Sequence, residues 1–236
     1  MLKTYALFDF DGTLIRGDSI LLMVLYARRK NLLDRRQLCA ALWVAVRYGL
    51  HLTPAVRAKE CALSFLAGKS APEVETVVQS FYHDVLEPRL RPQGIATIAR
   101  HRDAGHEVLL ISASSSFYLE PLKAKLGLTD IIGTRFDFDP IGTFTGRVCG
   151  DNCRGVQKPL RLAEYLAAKG DRLDYETSTA YGDSYGDLSM LRLCAHKVAV
   201  NPKRRLWRAL KSAEGATRVQ WTEPTQVFTG KGGAIH

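Results

Sequence analysis

Residues 7–14 read LFDFDGTL, and the order of residue types in this stretch decides the fold. Apolar residues lead up to Asp9, a second acid follows at Asp11, and Gly12 and Thr13 break the run, so the pattern is a buried strand passing into a tight polar turn. Two carboxylates at a strand end incur desolvation and mutual repulsion, which a bound cation or charged ligand relieves. The alternative is a turn whose Asp side chains cap backbone amides.

Working outward, Asp18-Ser19 signals a helix start, and residues 20–27 form a nearly unbroken apolar run followed by Arg28, Arg29 and Lys30. Further helices are predicted over residues 37–50, 54–67 and 71–85, with no strand between about residues 18 and 87. From Pro88 and Pro92 the pattern alternates. A helix over 94–104, a buried strand over 107–111 (EVLLI), a helix over 114–126 and a hairpin of strands 133–139 and 142–149 come first. A helix over 156–169, a strand over 178–181, a helix over 187–194, a strand over 197–200, a basic helix over 203–213 and an edge strand over 218–221 follow, with residues 230–236 read as a disordered tail. Alternation of this kind predicts a parallel sheet with helices on both faces, interrupted by a helical insert after the first strand.

Composition narrows the function. The chain has 236 residues, is 46% hydrophobic and carries a net charge of +9, enough apolar mass for a packed core and a surface suited to an anionic partner. No nucleic-acid motif accompanies the charge, and the basic residues are widely spread, so a nucleic-acid partner is not expected. Five cysteines, no export signal and no apolar run approaching ~18 residues predict a soluble, cytoplasmic protein.

In an open parallel sheet, ligands bind beyond the carboxyl ends of the strands. The polar residues placed there are Asp9 and Asp11 after the first strand, Ser112 after EVLLI, and Asp183 in GDSYGD with Asp187 one turn further on; Lys158 opens the helix after the hairpin.

On four motifs in this order (DFDGT, LLISAS reaching Ser112 to Ser114, VQKPLR with Lys158, and GDSYGD) the chain resembles the haloacid dehalogenase (HAD) superfamily. The insert after the first motif resembles the type 1 cap of its phosphoserine-phosphatase-like branch, subfamily IB. The resemblance implies a Rossmann-like α/β core over residues 1–15 and 89–229, a cap over 16–88 that closes on the substrate, and Mg²⁺-dependent hydrolysis of a small-molecule phosphate monoester. Asp9 is then the nucleophile that forms an aspartyl-phosphate, and Asp11 the general acid and later base. Lys158 supplies a compact positive charge. Mg²⁺ favours oxygen ligands in octahedral geometry, and Asp9, the Asp11 carbonyl and Asp183 are expected to hold it, with Asp187 as an outer carboxylate or alternative ligand. The Ser112 hydroxyl and the amides of Gly12 and Ala113 are expected on the phosphoryl oxygens. Expulsion of a halide has no use for the second carboxylate, so Asp11 favours phosphoryl transfer. One departure is Gly186, where that branch commonly has Asn.

The cap should set specificity. Asp18 stands where phosphoserine phosphatases read the substrate amine, and Arg57 or Lys59 is placed to meet a carboxylate, which points to an amino-alcohol phosphate. Against this, Leu21, Leu22, Val24, Leu25, Leu42, Trp43, Val44 and Val46 sit beside Arg28, Arg29, Lys30 and Arg47. That mixture reads either as a small core of the cap's own or as a surface for a lipid phosphate and peripheral membrane contact. Two alternatives stand beside hydrolysis: a phosphotransferase or mutase of the same superfamily, and a regulatory protein that binds phosphate without turnover.

Overall fold

A computed structural model describes residues 1–224 of the 236; the tail expected over 230–236, and the end of the core expected over 225–229, lie outside the described residues. The strands are β1 (Leu2–Lys3), β2 (Tyr5–Phe8), β3 (Glu107–Ser115), β4 (Asp130–Phe138), β5 (Phe144–Cys149), β6 (Arg172–Leu173), β7 (Thr179–Gly182), β8 (His196–Val200) and β9 (Ala216–Val219). The helices are α1 (Ser19–Arg29), α2 (Arg35–Gly49), α3 (Ala55–Ala62), α4 (Ala71–Phe81), α5 (Pro92–Asp103), α6 (Ser116–Leu119), α7 (Pro121–Leu126), α8 (Gln157–Lys169), α9 (Leu188–Leu191) and α10 (Arg204–Leu210).

Seven strands form one sheet in the order β5-β4-β3-β2-β7-β8-β9, parallel throughout except for the β4–β5 hairpin. At its centre β2 is buried at every position, which is why the sequence shows a continuous apolar run there and not an alternation. Its side chains still divide by the period of two. Tyr5 and Leu7 pack with Leu162, Leu191 and Leu206 on one face, and Ala6 and Phe8 with Ile98, Leu122 and Phe81 on the other. A doubly covered parallel sheet results, as the alternation predicts. The two-residue pairing of β1 with β6 is too short to leave a sequence signal.

Between β2 and β3 the chain is helical, as expected. Asp18 accepts hydrogen bonds from the Ile20 and Leu21 amides, and Asp34–Gln37 and Ser70–Glu73 form capping boxes, so the starts of α1, α2 and α4 are written in local side chains, while α3 follows Pro54 without one. After α4 the backbone widens into a π-turn over Tyr82–Leu86 and tightens into a 3₁₀ turn over Glu87–Arg89. Arg91 then fastens the return to the core: its amide donates to Leu14 O at 2.9 Å, and its guanidinium donates to Gly12 O at 2.6 Å and Thr13 O at 3.0 Å.

Three expectations are corrected. The helix expected from Ser114 begins at Ser116, because β3 continues past Ile111 through a register shift to pair Ser115 with Thr134. Ser112 therefore lies within β3 and does not follow it. The helix expected over 54–67 ends at Ala62 and passes into a 3₁₀ turn, Ser64–Leu66. The helix expected over 187–194 shortens to α9 after a 3₁₀ turn, Tyr185–Asp187.

Phe81 joins insert to core, its ring centroid 5.5 Å from that of Tyr26 and 5.9 Å from that of Tyr118. Phe81→Ala is expected to lower stability by about 3–5 kcal/mol, read as a reduced urea midpoint. A loss under ~1 kcal/mol would mean that the two parts do not share this core.

Candidate active site

Asp9 is fixed from two directions. Its amide donates to Tyr181 O on β7 at 2.9 Å, and the Phe8 ring stacks on Tyr181 at 4.2 Å, so the first residue past β2 is held as firmly as the strand. Asp183 follows β7 by the same logic. Asp187 is delivered by the turn after it, where Ser184 donates to its carboxylate from the backbone amide at 3.0 Å and from the hydroxyl at 2.8 Å. Carboxylate oxygens of Asp9, Asp183 and Asp187 lie within 4.8 Å of one another, and all three residues are buried.

Lys158 enters this cluster from the start of α8, its Nζ 2.6 Å from both Asp9 Oδ1 and Asp187 Oδ1. The α8 start is pinned to the Asp187 turn: the Gly155 amide donates to Gly186 O at 3.1 Å, and Ser189 Oγ donates to Gly155 O at 2.6 Å. Gly12 lies so close to Asp183 that an added Cβ would collide with its carboxylate, and its φ of +85° is a second reason for glycine. Lys203, at the N-cap of α10, completes the ring by pairing with Asp183 Oδ2 at 2.9 Å. Sequence reasoning missed Lys203; its signal was a lysine just beyond the carboxyl end of β8.

The electrostatics follow from this crowding. Burial and the neighbouring Asp187 carboxylate push Asp9 up to about 8, with Lys158 pulling the other way. Burial also raises Asp183. Burial acts in the same sense on Asp187, but the Lys158 ammonium outweighs it and holds that carboxyl low, so the two carboxyls share one lysine unequally. Three buried carboxylates around one lysine fit a hard divalent cation, which would take the place of the proton that Asp9 retains.

Asp11 turns toward the insert. Its Oδ1 accepts from the Ser19 amide at 2.8 Å, and its Oδ2 accepts from Ser19 Oγ at 3.1 Å and from Ser114 Oγ; Tyr118 Oη lies 2.9 Å from Ser19 Oγ. Burial and the nearby Asp18 carboxylate raise Asp11 to about 6. Ser112 is buried on β3 and accepts from the Ser114 amide at 3.0 Å, leaving its own hydrogen free to donate. Ser19 and Ser114 were not expected at the site; Ser19 read only as a helix start and Ser114 as the beginning of the next helix.

The HAD family profile of haloacid dehalogenase-like hydrolases matches residues 6–192. The chain belongs to this family. The haloacid dehalogenase-like hydrolase is 30% identical over 223 residues to a histidinol-phosphatase of Neisseria meningitidis, covering 89% of this chain and 96% of that one. It is 28% identical over 218 residues to the phosphoserine phosphatase SerB1 of Mycobacterium tuberculosis, covering 91% of this chain and 70% of that protein. A crystal structure from Bordetella pertussis, described as of unknown function, superposes with a TM-score of 0.82 at 28% identity, covering 93% of this chain and 99% of the other.

Between this hydrolase's insert and core lies a cavity of about 290 Å³ that reaches Asp11 and Ser114. Its walls are mostly small and apolar, with Val24, Ala41, Leu42 and Ala58 among them, and Asp18, Lys59 and Arg154 are its other charged residues. Asp18 lines the cavity while its carboxylate caps α1. Arg57 does not reach it: the side chain is 75% exposed and pairs with Glu60 at 3.4 Å, because two residues along α3 turn it away from the face that carries Lys59. Lys59 Nζ contacts Ala113 O, Thr134 Oγ1 at 3.2 Å and Asn152 Oδ1 at 2.6 Å. These acceptors are all neutral, and burial lowers the lysine to about 8. Arg154 passes over Gly186, where a Cβ would sit 3.2 Å from its Nε, and donates to Tyr48 Oη on α2 at 3.0 Å. The glycine that departs from the branch pattern thus leaves room for an arginine that ties core to insert.

Titration with Mg²⁺ in buffers of differing protonation enthalpy is expected to release about one proton per ion at pH 7, falling toward none by about pH 9. The sign follows from Asp9: a raised acid keeps its proton until about pH 8, and the ion must displace it. A proton count independent of pH would show Asp9 already ionised.

Proposed function

We propose that the chain is a Mg²⁺-dependent phosphatase that hydrolyses a phosphate monoester through an aspartyl-phosphate on Asp9, with residues 16–88 as the cap over a core of residues 1–15 and 89–224. The observation that carries this reading is the convergence of Asp9, Asp183 and Asp187, two of them paired with Lys158, next to a covered cavity that reaches Asp11 and Ser114. Asp9, the Asp11 carbonyl and Asp183, with Asp187 beside them, would hold the ion, which when bound offsets charge on the phosphoryl oxygens. Asp9 attacks phosphorus as the leaving alkoxide departs. Asp11, raised to about 6 by burial and by Asp18, donates a proton to that oxygen and then takes one from the water that cleaves the acyl-phosphate. Lys158 favours the ionised form of Asp9 and holds it in place for attack, and the Ser112 hydroxyl with the Gly12 and Ala113 amides receives the transferring oxygens.

The leaving group occupies the apolar cavity, which favours an amphiphilic ester such as an alkyl or lipid phosphate. Lys59, which has no carboxylate partner, is placed for a second anionic or ester group. An amino-alcohol phosphate is the second reading, supported by Asp18 at the cavity and by the Neisseria relative named for histidinol phosphate.

Turnover of an aryl phosphate is expected to require Mg²⁺, to stop with EDTA, and to vanish in Asp9→Asn with the fold intact. Asp11→Asn should lower kcat by about 10²–10⁴-fold, and wild-type kcat/KM should decline above about pH 6 as Asp11 loses its proton. Full activity in Asp9→Asn would end the nucleophile assignment. On a panel of medium-chain alkyl phosphates, lysophosphatidic acid, phosphoserine and histidinol phosphate, the amphiphiles are expected to lead by at least ~10-fold in kcat/KM. A lead by histidinol phosphate would instead select the second reading.

A further inference from the structure

The outer face of the insert is built the wrong way round for a soluble helical pair. Along α2 and its C-cap residue, Cys39, Leu42, Trp43, Val46 and Leu50 recur at the spacing of one helical face, and that face points to solvent. Trp43 is 64%, Val46 57% and Leu50 63% exposed, while Ala41 is the one α2 residue that is buried. On α1, Leu21 and Leu25, one turn apart, are exposed as well. Since Leu21 and Leu42 also line the cavity, the apolar face is continuous with the cavity mouth.

Charge surrounds this face. Residues 19–53 hold six basic residues against a single acid, Asp34. Lys30 pairs with Asp84, and Arg47 bonds Thr53 and the Leu52 carbonyl. Among the described residues, Arg28, Arg29, Arg35 and Arg36 are exposed and have no carboxylate within ion-pair distance. A second copy of the chain would bring the same cations face to face. An anionic bilayer would neutralise them while its interface takes up Trp43 and the aliphatic side chains.

We propose that α1 and α2 dock the protein on an anionic lipid surface, with the cavity mouth facing the bilayer. Docking stands on the exposed face alone; delivery of a membrane-borne phosphate ester to Asp9 rests on the phosphatase reading above.

Sedimentation of the full chain with phosphatidylcholine vesicles, with and without 30% phosphatidylglycerol, tests docking without turnover. At 0.15 M salt, binding is expected only to the anionic vesicles, with a blue shift of Trp43 fluorescence that Trp43→Phe removes. Trp43→Ser/Val46→Ser/Leu50→Ser and Arg35→Glu/Arg36→Glu should each weaken binding at least ~10-fold while retaining circular dichroism and soluble aryl-phosphate turnover. Asp9→Asn should bind vesicles like the parent, so a failed catalytic assignment and a failed docking assignment give different results. No pelleting with anionic vesicles, or undiminished pelleting by both surface variants, would overturn the proposal. So would a dimer that the triple variant disrupts in a protein that ignores vesicles, which would assign the face to a second copy.

Discussion

Three carboxylates are buried within reach of one ammonium group, and much of the architecture serves that crowding. Desolvation alone would protonate such a cluster or expel it to the surface. It persists because Lys158 is itself buried between Asp9 and Asp187, and because the backbone around each acid is held by structure formed for other reasons. Asp9 rides on the central strand, Asp187 on a turn closed by Ser184, and Lys158 on a helix start tied to that same turn. Removing Lys158 leaves buried carboxylates with neither water nor their cation, a loss of about 3–5 kcal/mol.

The sheet explains why the acids meet. A parallel sheet puts the carboxyl ends of its strands on one side, so residues far apart in sequence, Asp9 beyond β2 and Asp183 beyond β7, arrive together. The insert leaves the core at this same edge. It can cover the site without disturbing the sheet, and the cavity therefore has one polar end, at Asp11 and Ser114, and apolar walls supplied by the insert.

Much of this was legible in the sequence, and the exceptions share a cause. The central strand, the helical insert, the hairpin and the acids after β2 and β7 follow from local patterns of period, punctuation and capping. What stayed hidden depended on partners distant in sequence. Ser114 reads locally as a helix start; its contact with Asp11, 103 residues away, and the pairing of Ser115 with Thr134 extend the strand instead. Arg57 and Lys59 are equally plausible on paper, and only the packing of α3 against the core decides which faces inward. The apolar residues of the insert could have formed a core of their own. Met23, Tyr26 and Ala27 instead join the cluster shared with the core, Val24 and Ala41 line the cavity, and Leu42, Trp43 and Val46 stay exposed, because α2 presents its broad apolar stripe outward.

Lys59 is a positive charge that the insert, and not the core, brings to the cavity. With a divalent ion seated, the three carboxylates and Lys158 come to electroneutrality, and a phosphate dianion gains no net attraction from them. The positive charges that remain nearby are Lys203, already shared with Asp183, Arg154 on the core side of the cavity, and Lys59, which three neutral oxygens hold in place without cancelling it. An insert lifted off the core would take Lys59 with it, so an open form would grip inorganic phosphate more weakly than a closed one.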